Sequence, residues 1–299
     1  MQVRVCEYTE LKEKDFDRIK SITINGSIYE QLWYVALLAD FKLLIFIYGE
    51  YETVFFVPYR SKFGVKYAYM PNFIQKLTYV GKELGIDLII LELEKRLKFG
   101  EISIKSEEKL FDLIKPRTNF TLDLENSYDE LRNRFSYNHN RNIAKSNRIE
   151  ISESDSINEL FSIFKLEKAN FFTSKQLRLI ENDLFKVLSC TELKNRIFVI
   201  TACESNHVIA SALFVHFNNI IYYVIGSSLK SDISVSSTGL FKIFDFVINR
   251  FSETKTLLDF EGSDIVGIAR FFKGFGSKEE KYYFVKWNRL PFPLNKLKN

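Results

Sequence analysis

Glycine and proline are scarce in this chain, 12 and 5 among 299 residues, which excludes collagen-like and loop-dominated architectures. The three cysteines, Cys6, Cys190 and Cys203, are odd in number, far apart and set among apolar neighbours, so no disulfide framework is expected. Nor do His139, His207 and His216 form a ligand spacing with them, and no metal site is expected. The longest apolar runs, Leu43 to Tyr48 and Ile220 to Ile225, fall far short of the ~18 residues of a membrane span. Arg4, Glu7 and Glu10 interrupt the opening residues before an apolar stretch can form. No secretory signal is therefore expected, and the implied location is the cytoplasm. Charge of neither sign dominates: 42 basic against 38 acidic side chains leave +4, too little for a dedicated nucleic-acid binder, so DNA is not an expected partner.

What the chain does have is core material. It is 46% apolar and 15% aromatic, with 29 Phe, enough for two packed domains and incompatible with disorder. The rise in Phe reads as core composition rather than an aromatic binding surface. The first third mixes a helix over Asn25 to Ala39, strands over Lys42 to Ile47, Thr53 to Tyr59 and Lys66 to Met70, a helix over Val80 to Leu97 and a strand over Glu101 to Lys105. Lys115-Pro116-Arg117 marks the best boundary, because proline disfavours helix in the residue before it. The expected domains are 1–116 and 117–299.

Beyond that boundary Thr121 to Leu124 alternates as a strand. Ser127-x-x-Glu130 and Ser156-x-x-Glu159 are capping boxes, opening helices at Tyr128 and after Ser156. Ser174 to Cys190 is a further amphipathic segment. Strands at Ile197 to Cys203, Val208 to Phe217 and Ile220 to Ser227 are joined by turn residues so short that an antiparallel meander is required. Helix (Gly239 to Phe251), strand (Thr256 to Phe260), helix (Ile265 to Phe272) and strand (Lys281 to Trp287) complete the order. The first third carries the same βββ–α–β order in shortened form.

Three stretches in this order resemble the GNAT acyltransferase superfamily, and most of all its two-domain FemABX-like branch, the peptidoglycan-bridge aminoacyltransferases and related bacterial acetyltransferases. They are Asn119-Phe-Thr-Leu-Asp-Leu with Phe135-Ser-Tyr-Asn-His-Asn-Arg-Asn-Ile-Ala-Lys145, then Val224-Ile-Gly-Ser227 with Ser236-Ser-Thr-Gly-Leu240, then Leu258-Asp-Phe-Glu-Gly-Ser263 with Phe271-Phe-Lys-Gly-Phe-Gly276. The resemblance implies an α+β fold: tandem GNAT-like domains, each a mostly antiparallel mixed sheet flanked by helices, the first degenerate. It covers 119–299 by motif and 25–115 by element order alone. The long helical arm of some members is missing, as is the Arg/Gln-x-x-Gly-x-Gly/Ala phosphate signature of ordinary GNAT enzymes.

Site candidates follow from residues and resemblance together. Ser236, Ser237, Thr238 and Gly239 precede a helix whose free N–H groups and dipole suit a pyrophosphate; the bland alternative is an ordinary N-cap in a serine-rich loop. From Leu131 to Ile149 there is no acid, and Arg134, Arg141, Lys145 and Arg148 project within about 60° of one another on a continuous helix. A phosphate-bearing ligand would relieve their repulsion, as would an acidic neighbour such as Glu150 or Glu153. The resemblance puts Arg141, with Asn140 and Lys145, on the substrate side. Glu261 ends a strand where a carboxylate could take the proton of an attacking amine, with Asp259 on the same face; the alternative makes Asp259 a cap and leaves Glu261 merely exposed. Lys273 matches a lysine that faces the reacting groups in the resembled family, and is otherwise a helix-terminal surface lysine. One of Tyr222 and Tyr223 points into any cleft as an acid for the leaving group, and Tyr223 is preferred.

The expected activity is transfer of an acyl group from acyl-CoA, acetyl-CoA first, to the amine of a small molecule or cell-wall precursor. No tightly bound cofactor is expected. A tRNA-dependent aminoacyl transfer to a cell-wall precursor and a non-catalytic GNAT-like binding scaffold are the alternatives.

Overall fold

The structure, a computed structural model, describes residues 3–82, 86–105, 114–154, 156–229, 238–293 and 295–296. In chain order the first elements are β1 (Val3–Glu7), α1 (Glu13–Thr23), α2 (Leu32–Leu38), β2 (Leu43–Tyr48), β3 (Thr53–Lys62), β4 (Val65–Ala68), β5 (Tyr79–Gly81), α3 (Ile86–Arg96) and β6 (Phe99–Ile104). Next come β7 (Ile114–Asp123), α4 (Tyr128–Asn133), α5 (Tyr137–Lys145), β8 (Glu150–Ser154), α6 (Asn158–Lys168) and α7 (Ser174–Leu188). The last are β9 (Ile197–Glu204), β10 (His207–Phe217), β11 (Ile220–Ser228), α8 (Gly239–Phe251), β12 (Leu257–Asp259), α9 (Val266–Lys273) and β13 (Lys278–Asn288). The fold is mixed α/β, with mostly antiparallel strands.

Two compact units divide the chain: Met1–Arg117 together with Lys281–Asn299, and Thr118–Glu280. The sequence reading keeps 281–299 with the second domain, but these residues cluster with the first unit. Pro116 sits inside β7.

In the first unit β1, β2 and β3 form an antiparallel run, β4 continues from the second half of β3, β6 lies parallel to β4, and β13 pairs antiparallel with β6. All six residues of β2 and the first seven of β3 are buried, so these strands carry a two-sided core rather than an alternating face. Gly100 is required where β6 meets β13: a Cβ there would lie 2.2 Å from Trp287, whose indole N–H donates to the Leu97 carbonyl at 2.6 Å. The helix expected over 25–39 is instead a 3₁₀ turn, Ile28–Glu30, and α2, separated by extended Gln31. The reciprocal Ser27–Glu30 cap starts that turn. Sequence reading missed β1 and α1 altogether.

The second unit has the sheet order β7-β12-β11-β10-β9-β8. Strands β8 to β11 pair antiparallel, α8 crosses over to β12 parallel to β11, and β12 pairs antiparallel with β7. The meander is as expected from its turns: Ser205, Asn206, Asn218 and Asn219 all adopt positive φ, which short Asn-rich hairpins favour. Phe abundance goes into this core. Phe244 on α8 packs against Phe214, Phe260, Phe272 and Phe275, with centroids 5.2–6.1 Å apart. Two local readings need correction. The helix expected through Arg148 breaks into α4 and α5, so Arg134 and Arg148 leave the face shared by Arg141 and Lys145. The Ser156 box does not form: the N-cap of α6 is Ile157, and Ser156 Oγ accepts from the Asn158 N–H at 3.2 Å.

Candidate functional site

The centre of the second unit is the pairing of β11. On one side its register with β10 runs Leu213 to Ile225 and then Phe214 to Tyr223, so Val224 is an extra residue, a β-bulge. On the other side β12 pairs only at Ile220, Ile221 and Tyr222. At Asp259 the strand stops: Glu261 and Gly262 take φ of 62° and 59°, and the Glu261 N–H is capped by Asp259 Oδ1 at 2.8 Å. Among the described residues no strand pairs with β11 beyond Tyr222 on that edge. A strand whose neighbour turns away presents backbone donors and acceptors to an extended ligand.

Tyr223 lies at the start of this open stretch. Its ring is held by Phe214, Phe244 and Phe272, at 5.7, 5.0 and 5.9 Å. Burial raises its phenol above the ordinary range, so it keeps its proton at neutral pH. The hydroxyl reaches over Gly226, where a Cβ would come within 2.4 Å of it. Gly226, following the apolar run Ile220 to Ile225 inside the strand, is the local signal by which the bulge could have been found.

The other candidates stand as follows. Glu261 is partly buried and lies in a left-handed turn, so the alternation assumed to put it on one face with Asp259 does not reach it. Lys273 ends α9 and pairs with Glu279 at 2.6 Å, both side chains well exposed. Contact of Phe272 with Tyr223, and pairing of Asp259 with Tyr222, bring the chain at Lys273 and at Glu261 around the same end of β11. Ser236 and Ser237 lie outside the described residues. Thr238 is buried and makes no side-chain cap bond, while Gly239 packs tightly on β10, where a Cβ would lie 2.7 Å from Ala210 Cβ. That contact is reason enough for glycine, and substituting it would disturb packing before it touched a ligand.

On α5, Arg141 and Lys145 are exposed, and Arg141 Nη2 donates to Asn138 at 2.9 Å. Asn140 is committed internally: its Oδ1 accepts from Arg132 Nε at 2.6 Å. Arg132 also donates to Asp245 at 2.6 Å, as does Tyr128 at 2.5 Å. Burial first, then the bond to Asp245, pushes the Tyr128 phenol up to about 12. This four-residue network ties α4 and α5 to α8, and sequence reading did not find it. His139 is a buried, fully bonded core residue. Its Nε2 bonds the Phe271 carbonyl and its Nδ1 the Ser136 hydroxyl, both at 2.8 Å.

The fold so built is GNAT-like. It is similar to the crystal structure of FemX, with TM-score 0.63 and 12% identity over all of both chains. A tandem GNAT protein from the clavulanic acid biosynthesis pathway gives TM-score 0.53 at 7% identity, over 97% of this chain and 99% of that one. L-PGS from Bacillus licheniformis gives 0.52 at 10%, over 96% and 95%. No protein-family model matches the sequence, and no curated protein does. Among the described residues no helix is long and apolar enough to cross a membrane.

Proposed function

We propose that the chain is an acyltransferase that moves an acyl group from acyl-CoA to an amine, with the chemistry in the second unit. The observation that carries this is the bulged strand β11 with its edge open beyond Tyr222. The pantetheine arm of coenzyme A carries two amides and is extended. It can pair with such an edge as an added strand, which fixes the thioester beside the bulge. The helix α8 begins next to β10, and its first-turn N–H groups suit the pyrophosphate. The amine then attacks the thioester carbon, and the tetrahedral oxyanion collapses to expel the thiolate. Backbone donors freed at the bulge suit the oxyanion. Glu261 takes the amine proton directly or through water, Tyr223 as a protonated phenol suits the leaving thiolate, and Lys273, released from Glu279, stabilises the negative charge.

A second reading has a specific support. Arg141 and Lys145 on α5 and Arg148 just beyond it are exposed, and would suit an aminoacyl-tRNA donor or a phosphate-bearing precursor. Isothermal calorimetry with acetyl-CoA and with charged tRNA separates the two. Acetyl-CoA should bind, and Gly226→Val, whose Cβ displaces the Tyr223 hydroxyl beside the open edge, should weaken it at least tenfold while the fold persists by circular dichroism. Heat with charged tRNA alone transfers the assignment to aminoacyl transfer, and heat with neither leaves a non-catalytic scaffold.

A further inference from the structure

The hairpin of α6 and α7 exposes what a globular surface normally hides. Leu166 and Phe171, at and beyond the end of α6, are each 69% exposed, and Leu179 and Phe185 on α7 are 40% and 50% exposed. Scattered single apolar residues need no explanation; four large ones on one hairpin do. Projected at 100° per residue, Lys175, Arg178, Leu179, Asn182, Phe185 and Lys186 share one sector of about 120° on α7. Its buried residues Ile180, Asp183, Leu184 and Val187 lie on the other side. The outward sector holds three cations, two large apolar side chains and no acid. Both acids of the helix flank it, Glu181 paired with Lys165 at 3.0 Å and Asp183 with Lys186 at 2.9 Å. At the tip the Lys168 ammonium sits 5.6 Å from the Phe171 ring centroid.

We propose that this hairpin docks the protein on an anionic lipid surface, with Leu166, Phe171, Leu179 and Phe185 entering the interface and Lys168, Lys175 and Arg178 facing the headgroups. A basic helix face carrying bulky apolar residues fits the boundary between headgroups and acyl chains. RNA would engage the cations and stack on the phenylalanines, but would leave the two exposed leucines without a role. The docking does not depend on the acyl-transfer reading, because vesicle binding needs no donor.

The test is flotation of the full chain with vesicles of phosphatidylcholine alone and of phosphatidylcholine with phosphatidylglycerol. The wild type should float only with the anionic vesicles and be released at roughly 1 M salt, where the screening length is a few ångströms. Neutralising two cations, Lys175→Gln with Arg178→Gln, should cut partitioning about 25-fold, at roughly fivefold for each charge. Leu179→Ser with Phe185→Ser should cut it tenfold or more at unchanged charge. Melting temperatures should hold, since these positions are exposed. A wild type that ignores anionic vesicles, or variants that float as well as wild type, overturns the proposal. So does loss of tRNA binding in these variants when no vesicle binding exists.

Discussion

Gly274→Ala tests the packing that holds α5 against α9. Gly274 has ordinary helical dihedrals, φ −66° and ψ −14°, so alanine is acceptable to the backbone. Space is the obstacle. A Cβ there would lie 1.9 Å from His139 Cε1, 2.3 Å from Nδ1 and 2.4 Å from Nε2. The imidazole cannot retreat cheaply: Phe275, Phe241 and Phe271 surround it at 4.5, 4.8 and 5.6 Å, and both its nitrogens are bonded. Forcing one methyl into a packed core costs about 1–3 kcal/mol. Displacing the ring adds about 1 kcal/mol for each hydrogen bond lost. Against that, alanine narrows the unfolded ensemble and returns about 0.4–1 kcal/mol. The expected net loss is about 2–4 kcal/mol, read as a lower urea midpoint for the transition of the second unit at unchanged slope. In a His139→Ala background the same change should cost nothing and even return the entropic gain, a strong coupling in a double-mutant cycle. A single-variant loss below about 0.5 kcal/mol, or additive effects in the cycle, would refute the wedge at this position.

Three further outcomes are expected. Glu261→Gln should lower turnover by about 10²- to 10⁴-fold, with recovery at high pH where the amine is already deprotonated; Lys273→Met should lower it at every pH while changing stability by less than about 1 kcal/mol. An unchanged pH–rate profile removes Glu261, and unchanged turnover removes Lys273. Burial lowers the pKa of both His139 and His216. Each therefore contributes stability that is fully present above the unfolded value near 6.5 and is lost as pH falls through the folded value. Melting temperature should fall from pH ~6.5 downward, less so in His139→Gln; a flat melting curve down to pH ~5 would remove the histidines from this account.

The meander was readable because its information is local. Asn218-Asn219 and Ser205-Asn206 set tight turns, and the apolar runs between them allow only strands. The start of α4 was readable for the same reason, since Ser127 and Glu130 cap each other. The break between α4 and α5 was not. Phe135 is drawn into the core by Phe275, at 5.2 Å, and the Ser136 N–H donates to the Gly274 carbonyl at 2.8 Å. Those partners are far away in sequence, and a basic run without acids looks continuous until they are known. The candidate site divides likewise. Tyr222 and Tyr223 stand out as the tyrosines of a central strand and Glu261 as a carboxylate at a strand end, but the bulge at Val224 and the turn at Glu261 depend on cross-strand register, which no periodicity encodes. Asn140 looked available because its partner Arg132 lies across the unread break.

The assignment of residues 281–299 to the first unit bears on how this chain is made. Residues 118–280 are contiguous and leave the ribosome as one block, so the second unit can assemble during translation. The first unit is begun before that block and finished after it. Strand β6 waits through the synthesis of well over a hundred residues for β13 to arrive with Trp287, which fills the space over Gly100. In that interval an apolar sheet edge has no partner, and chaperone dependence should concentrate there. Nonsense or frameshift lesions just past Glu280 would release a chain whose second unit is whole and whose first is not. Its abundance in the cell, rather than its chemistry, would be what fails.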